Sequence, residues 1–199
     1  MLIAGFASGF NKKWLLPHPE KIMTGNNKPG TEAHTFRFAV DAMLGRLARW
    51  LRLAGLDTFY EADVPDEVLL ARALRERRIL VTRDRALAHR AMRWKIRVII
   101  PCRDGGWNQL REICSELGLE PENLPWFDRC TRCNVSVIPV DKDRVRLMVP
   151  RRVWRTHREF FRCPGCGKIF WPGSHVQAVE RMRNSETNRD KASSQRIEE

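Results

Sequence analysis

Ile79, Leu80 and Val81 stand in a row, two of them β-branched, and the run stops abruptly at the polar Thr82-Arg83-Asp84. A short unbroken apolar run of this kind predicts a strand buried on both faces, as in a parallel sheet. Residues 36–40 read the same way and end at Asp41. Helical spacing follows: Leu44, Leu47, Leu51 and Ala54 recur every three or four positions, and Gly55 is a natural terminator. The pattern next predicts a short strand at 57–61 and a helix at 66–77 with Val68, Leu69, Ala71 and Leu74 inward. A helix at 85–94, a strand at 97–100 and a helix at 107–117 closed by Gly118 complete it. Strands alternating with helices at such short intervals predict an α/β fold, a parallel sheet flanked by helices, over 36–125.

That arrangement puts three aspartates at strand-to-helix junctions: Asp41, Asp66 and Asp84. Each singly suits a helix cap. Open α/β sheets, however, bind ligands at the carboxyl ends of their strands, and right-handed connections gather those ends on one edge. Converging carboxylates repel one another unless a hard cation lies between them, and Mg²⁺ or Mn²⁺ takes oxygen ligands in this way. Ions so held orient a water, lower its pKa and clamp phosphate oxygens. Asp41, Asp66 and Asp84 are therefore the candidate catalytic residues, with Asp104 and Glu67 as candidates for an extra ligand. Arg46, Arg49 and Arg52, at intervals of three, are expected to form a basic ridge on the first helix, and Arg83, Arg46 and Arg49 are candidates for neighbouring phosphates.

A second module is announced by cysteines. Cys130-Thr131-Arg132-Cys133 and Cys163-Pro164-Gly165-Cys166 are two C-x-x-C knuckles separated by 29 residues. Four thiolates in two such pairs close a tetrahedral shell around one structural Zn²⁺. A disulfide alternative needs an oxidising compartment, and no export signal supports one; the expected location is cytoplasmic. The intervening chain reads as strands at 135–140 and 145–149, turning at 141–143, so a small β zinc ribbon with a trailing helix is expected over 126–183. Cys102 and Cys114 fall outside the scheme and are expected to be plain buried residues.

Charge changes the picture further. The chain carries a net +12, unevenly spread. Residues 36–125 hold 16 Lys/Arg against 13 Asp/Glu, whereas residues 126–175 hold 11 against 4. A basic surface of that kind favours a polyanion through counterion release, although a merely solvated surface has the same composition. Around the second knuckle, arginines alternate with aromatics, which is how proteins hold single-stranded nucleic acid. Arg151, Arg152 and Arg155 are the candidate RNA contacts here, and Trp154 the candidate stacking ring. Phe161 and Phe170 are expected in the ribbon's core, and His175 as a first-turn residue behind the cap Ser174. No run of about 18 apolar residues exists, so no membrane span is expected. Residues 1–35 and 184–199, polar and without periodicity, are expected to be a disordered leader and tail.

The order Phe38-Ala39-Val40-Asp41, Met43-Leu44-Gly45-Arg46 through Arg52, Asp66-Glu67, Ile79 through Asp84 and the two knuckles followed by Phe170-Trp171-Pro172-Gly173-Ser174-His175 resembles the Mut-seven-C RNase family. The resemblance covers about 36–183. It implies a PIN-like nuclease domain fused to a zinc ribbon, metal-dependent RNA cleavage, and Asp41, Asp66 and Asp84 as the acidic cluster. The fourth acidic position usual in PIN nucleases has no clear match, which leaves Asp104 and the number of metals open. Two other classes stay in view: a non-catalytic RNA- or ribosome-binding adaptor whose aspartates are only caps, and a protein-interaction scaffold. Oligomeric state has no signature in the sequence.

Overall fold

The computed structural model describes residues 36–171, and these fall into two compact units that divide between Arg129 and Cys130. The expected leader and tail, the trailing helix, Ser174 and His175 lie outside the described residues.

The first unit holds a four-stranded parallel sheet: β1 (Arg37–Val40), β2 (Asp57–Phe59), β3 (Ile79–Val81) and β4 (Val98–Ile99). Its order is β2-β1-β3-β4. Between the strands run α1 (Gly45–Leu53), α2 (Asp66–Arg75) and α3 (Arg85–Arg93), and α4 (Gly106–Leu117) follows β4. As the apolar runs require, Phe38, Ala39, Val40, Leu80 and Val81 are completely buried. Ala39 and Leu80 meet Leu69, Leu70 and Ala73 of α2 and Leu87 and Ala91 of α3 in one core. Alternation sends Phe38, Val40 and Val81 to the opposite face. Leu47 and Leu51 of α1 and Leu110 and Ile113 of α4 are buried too, and these two helices pack on each other.

The inward stripe of α2 differs from the expected one. Val68 and Leu74 are about half exposed, Ala71 is also exposed, and Leu69, Leu70 and Ala73 carry the packing. Two apolar stripes coexist on this helix, and the sheet takes the one with paired leucines, which buries the larger area. The unit runs on through Arg129 because Trp126 stacks at 6.0 Å on Trp107, itself 5.5 Å from Trp50. Phe127 donates its N–H to the Leu53 carbonyl at 2.8 Å. Gly55 sits at φ +80° with the Pro125 carbonyl where a Cβ would go, so this terminator also admits the returning chain.

The amino ends of the strands are closed by charge. Arg78, 8 % exposed, donates to Asp57 at 2.7 Å, to Glu76 at 2.6 Å and to the Phe38 carbonyl. Hydrogen bonds from Arg72, then Arg78 and Arg75, pull the Glu76 carboxyl from its ordinary 4.5 down to about 2. A carboxyl depressed by folding stabilises the native state fully above its unfolded pKa and loses that contribution as pH falls through the folded one. Stability should therefore decline as pH drops from about 4.5 toward 2, and Glu76→Gln should flatten that decline; denaturant midpoints across this range measure it.

The second unit is a three-stranded antiparallel sheet in the order β5-β6-β7, made of β5 (Ile138–Val140), β6 (Phe160–Arg162) and β7 (Ile169–Phe170), with one short helix, α5 (Arg151–Thr156). Here the expected strand at 145–149 is replaced by a 3-10 turn (Asp143–Val145) and the approach to α5. Val145 and Val149 lie four apart, a helical interval, and both point into the core with Phe160 and Ile169. Phe161 and Phe170 are not in that core: they pair across β6 and β7 on the opposite face, one residue out of phase with Phe160 and Ile169.

Candidate active site and metal centre

In the sheet order β2-β1-β3-β4, the chain leaves β1 to one side and returns to build β3 on the other. The switch point lies between β1 and β3, where a doubly wound sheet opens a crevice at its carboxyl edge. Asp41 follows β1 and Asp84 follows β3, so these two flank the switch point. Thr82, completely buried, ties them together. Its hydroxyl donates to Asp41 Oδ2 at 2.6 Å and accepts the Asp84 N–H at 2.9 Å. The hydroxyl thus fixes one Asp41 oxygen and sets where the chain turns into α3.

Asp84 is also a helix cap. Its Oδ1 accepts the N–H groups of Ala86 at 2.7 Å and Leu87 at 3.1 Å, while Oδ2 has no donor among the described residues. Asp66 and Glu67 open α2 on the same edge, but a different partner holds them. Arg90 of α3 pairs with Asp66 at 3.2 Å and with Glu67 at 2.7 Å. Arg90 and the backbone N–H of Glu67 itself, the latter foremost, keep the Glu67 carboxyl below the usual range. Asp104 is well exposed and pairs with Arg83 at 2.8 Å. Its loop is held by Glu112, which accepts the N–H groups of Cys102 and Arg103 at 2.9–3.1 Å.

The edge therefore gathers Asp41 and Asp84 through Thr82, and it engages Asp66 and Glu67 with an arginine instead. Among the described residues, no group of three carboxylates converges as the cysteines do. Hard oxygen donors at a switch point, two of them (Asp41 Oδ1 and Asp84 Oδ2) without a donor among the described residues, suit a divalent cation. Arg46 and Arg49 are exposed on α1, whereas Arg52 is buried and donates to the Thr58 and Tyr60 carbonyls at 3.0 and 3.3 Å. The expected ridge of three stops at two because a step of three residues turns the helix by about −60°, which carries Arg52 about 120° away from Arg46. Thr82, Arg90 and Glu112 were not singled out in the sequence. Only Thr82 carried a signal, a hydroxyl at the end of a strand buried on both faces.

The cysteine centre is more completely built. The Sγ atoms of Cys130, Cys133, Cys163 and Cys166 all lie within 4.8 Å of one another, and Cys130 and Cys166 are 3.8 Å apart. Four sulfurs at the usual Zn–S length of about 2.3 Å stand about 3.8 Å from each other at a tetrahedron's corners. The two knuckles are copies in their backbone bonding. Each first cysteine donates to the carbonyl five residues on (Val135, Lys168) and accepts from the amide four residues on (Asn134, Gly167), all at 2.9 Å. Asn134 and Gly167 take the left-handed φ that this turn demands, 65° and 72°. The second-cysteine amides donate to the first-cysteine sulfurs at 3.4 Å. The thiols cannot all ionise unaided: the Lys168 amide draws Cys166 down to about 7, and its hydrogen bond with Cys166 pushes Cys133 up to about 12. A cation that holds four thiolates together fits this set, and the four cysteines can hold a zinc ion.

The family model described as the Mut7-C RNAse domain matches residues 36–183. The chain belongs to that family. No match is found among curated proteins or among solved structures. A Mut7-C chain is thus the setting for both centres, since the matched span takes in the acidic edge and all four knuckle cysteines. Of the remaining thiols, Cys114 is buried and pushed up to about 12 by that burial, as expected of an inert residue. Cys102 is exposed, contrary to expectation, because β4 has already ended at Ile99 and its loop faces solvent.

Trp154 also departs from its expected role. It packs half-buried on the ribbon core, donates Nε1–H to the Lys142 carbonyl at 3.1 Å, and carries Lys142 and Arg146 over its ring at 4.8 and 5.2 Å. A ring already covered by two cations is a structural anchor, not an open platform. Arg151, Arg152 and Arg155 are exposed and share the outer side of α5, with Arg155 three and four positions after the other two.

Proposed function

We propose that this Mut7-C chain is a divalent-metal-dependent ribonuclease with a PIN-like nuclease unit and a structural zinc ribbon that binds RNA. The observation that supports it most is the Asp41–Thr82–Asp84 constellation at the switch point of a chain whose family is named for RNase activity. Asp41 and Asp84 would hold Mg²⁺ or Mn²⁺, with Asp66 joining them by exchanging Arg90 for the ion. The ion would supply an activated water and charge stabilisation for phosphodiester hydrolysis. Arg46, Arg49 and Arg83 would sit on flanking phosphates, and the ribbon would add affinity. The number of ions, and whether Asp104 or Glu67 contributes, follow from metal titration. In the cytoplasm, the reducing compartment proposed here, the knuckles keep their thiols.

Metal-titrated cleavage of a labelled RNA tests the reading: turnover should appear with Mg²⁺ or Mn²⁺ and not with Zn²⁺ alone. A second reading draws on the Asp84 cap and the Asp66–Arg90 pair, which satisfy two of the three aspartates without chemistry. In it the chain is an RNA- or ribosome-binding adaptor, and salt-sensitive binding without turnover would be the result.

The ribbon's share is separable. Replacing Arg151, Arg152 and Arg155 together should weaken RNA binding and reduce its salt slope by about 2, because each lost contact to a single-strand phosphate removes about 0.7 of a released counterion. Turnover at saturating RNA should change little. An unchanged salt slope would make these arginines a solvated surface only.

A further inference from the structure

Leu147 is 96 % exposed and Met148 56 %, side by side on the turn that leads into α5. This turn is not loose. Val145 and Val149 on either side are buried at 1 % and 8 %, and the Met148 N–H closes on the Val145 carbonyl at 2.9 Å. At its base the Arg146 guanidinium lies on Trp154, which is in turn bonded to the Lys142 carbonyl. Two anchors thus hold an apolar tip in solvent, where burial within the ribbon would have been favourable. The flanking sequence is basic on balance: residues 141–152 contain four arginines and Lys142 against Asp141 and Asp143.

We propose that Leu147 and Met148 form an apolar wedge that enters between adjacent bases of single-stranded RNA, while Arg144, Arg151 and Arg152 hold the phosphates on either side. The inference rests on the reading of the ribbon as an RNA-binding module, and it names the part of RNA that the module touches. Leu and Met are among the side chains that separate base steps, and flexible single strands expose their base faces at little cost. The excess of positive charge flanking the tip, on a chain of net +12, matches a polyanion and favours RNA over a protein partner as the occupant. A bilayer would need a wider apolar face than two side chains.

The experiment uses the full zinc-loaded chain and a single-stranded RNA carrying 2-aminopurine, with binding followed at several salt concentrations. In the variant Leu147→Ser/Met148→Ser, affinity should fall about tenfold with an unchanged salt slope, and the 2-aminopurine brightening on binding should disappear. The Arg151, Arg152 and Arg155 variant should do the reverse, losing salt slope and keeping the brightening at saturation. Unchanged zinc content in both variants shows that the ribbon is intact. If the wedge variant binds with wild-type affinity and brightening, the wedge is overturned and RNA binding by the ribbon stands. If the wild type does not bind RNA at any salt concentration, the ribbon reading itself fails and the wedge with it. Loss of binding to phosphatidylserine vesicles, with RNA binding untouched, would reassign the tip to a membrane surface and overturn the proposal.

Discussion

Cys163→Ser is expected to release zinc and unfold the ribbon while the α/β unit stays native. Among the described residues, the ribbon's core cluster is Val145, Val149, Phe160 and Ile169, with Val140, Val153, Trp154 and Trp171 half-buried around them. Its strands are two or three residues long. So little apolar area cannot order a chain of this length, and structural zinc sites contribute about 10–16 kcal/mol of apparent binding free energy to folding. Removing one thiolate leaves three ligands and an open position, which is a weaker and catalytic-type arrangement. Elemental analysis should find about one zinc per chain in the wild type and far less in the variant. Limited trypsin digestion gives the second measure: the arginine-rich ribbon should be cut and a fragment close to residues 36–129 should survive. Cys102→Ser, an exposed thiol outside the knuckles, should keep its zinc and its resistance. A wild-type protein with far below one zinc per chain would remove the basis of the whole expectation.

The sheet was legible because its two central strands are apolar on both faces, so that composition alone marked 36–40 and 79–81. Knuckle spacing was equally direct, since metal ligation constrains cysteine positions more tightly than packing constrains apolar ones. Elsewhere two readings competed within a few residues. On α2 the stripe of Val68, Ala71 and Leu74 is as periodic as that of Leu69, Leu70 and Ala73, and only the sheet decides between them. In the ribbon, 145–149 satisfies strand composition, but the spacing of Val145 and Val149 is helical and Pro150 stands at the N-cap of α5. For Phe160 and Phe161 the difficulty was phase: with a period of two, a shift of one residue exchanges core for surface. The acidic edge was legible as a set of positions and not as a set of partners. The Asp84 cap was legible from its place before a helix, but nothing local to Asp66 says that Arg90 will reach back over 24 positions to hold it.

Asp41→Asn should abolish metal-dependent cleavage, with rates down by about 10²-fold or more, and leave the fold intact. Asn keeps the acceptor that Thr82 Oγ1 needs at 2.6 Å, so the tie across the switch point survives while the charge is lost. Asp84→Asn should act alike, and its stability should barely change because Asn caps as well as Asp. Both variants should also lose any thermal stabilisation by Mn²⁺ that wild-type protein shows beyond its zinc. Asp66→Asn sets a sharper question. Its pair with Arg90 is partly exposed, so losing it costs about 1 kcal/mol at most, and Glu67 still engages the same arginine. If Asp66 leaves Arg90 to join the ion, this variant should lose cleavage like the other two, and double substitutions should lose little more than the singles, because the site works as a unit. If it stays with Arg90, cleavage should persist and the site reduces to Asp41 and Asp84. Metal-dependent RNA cleavage that survives in all three single variants would refute the acidic edge as the seat of the chemistry.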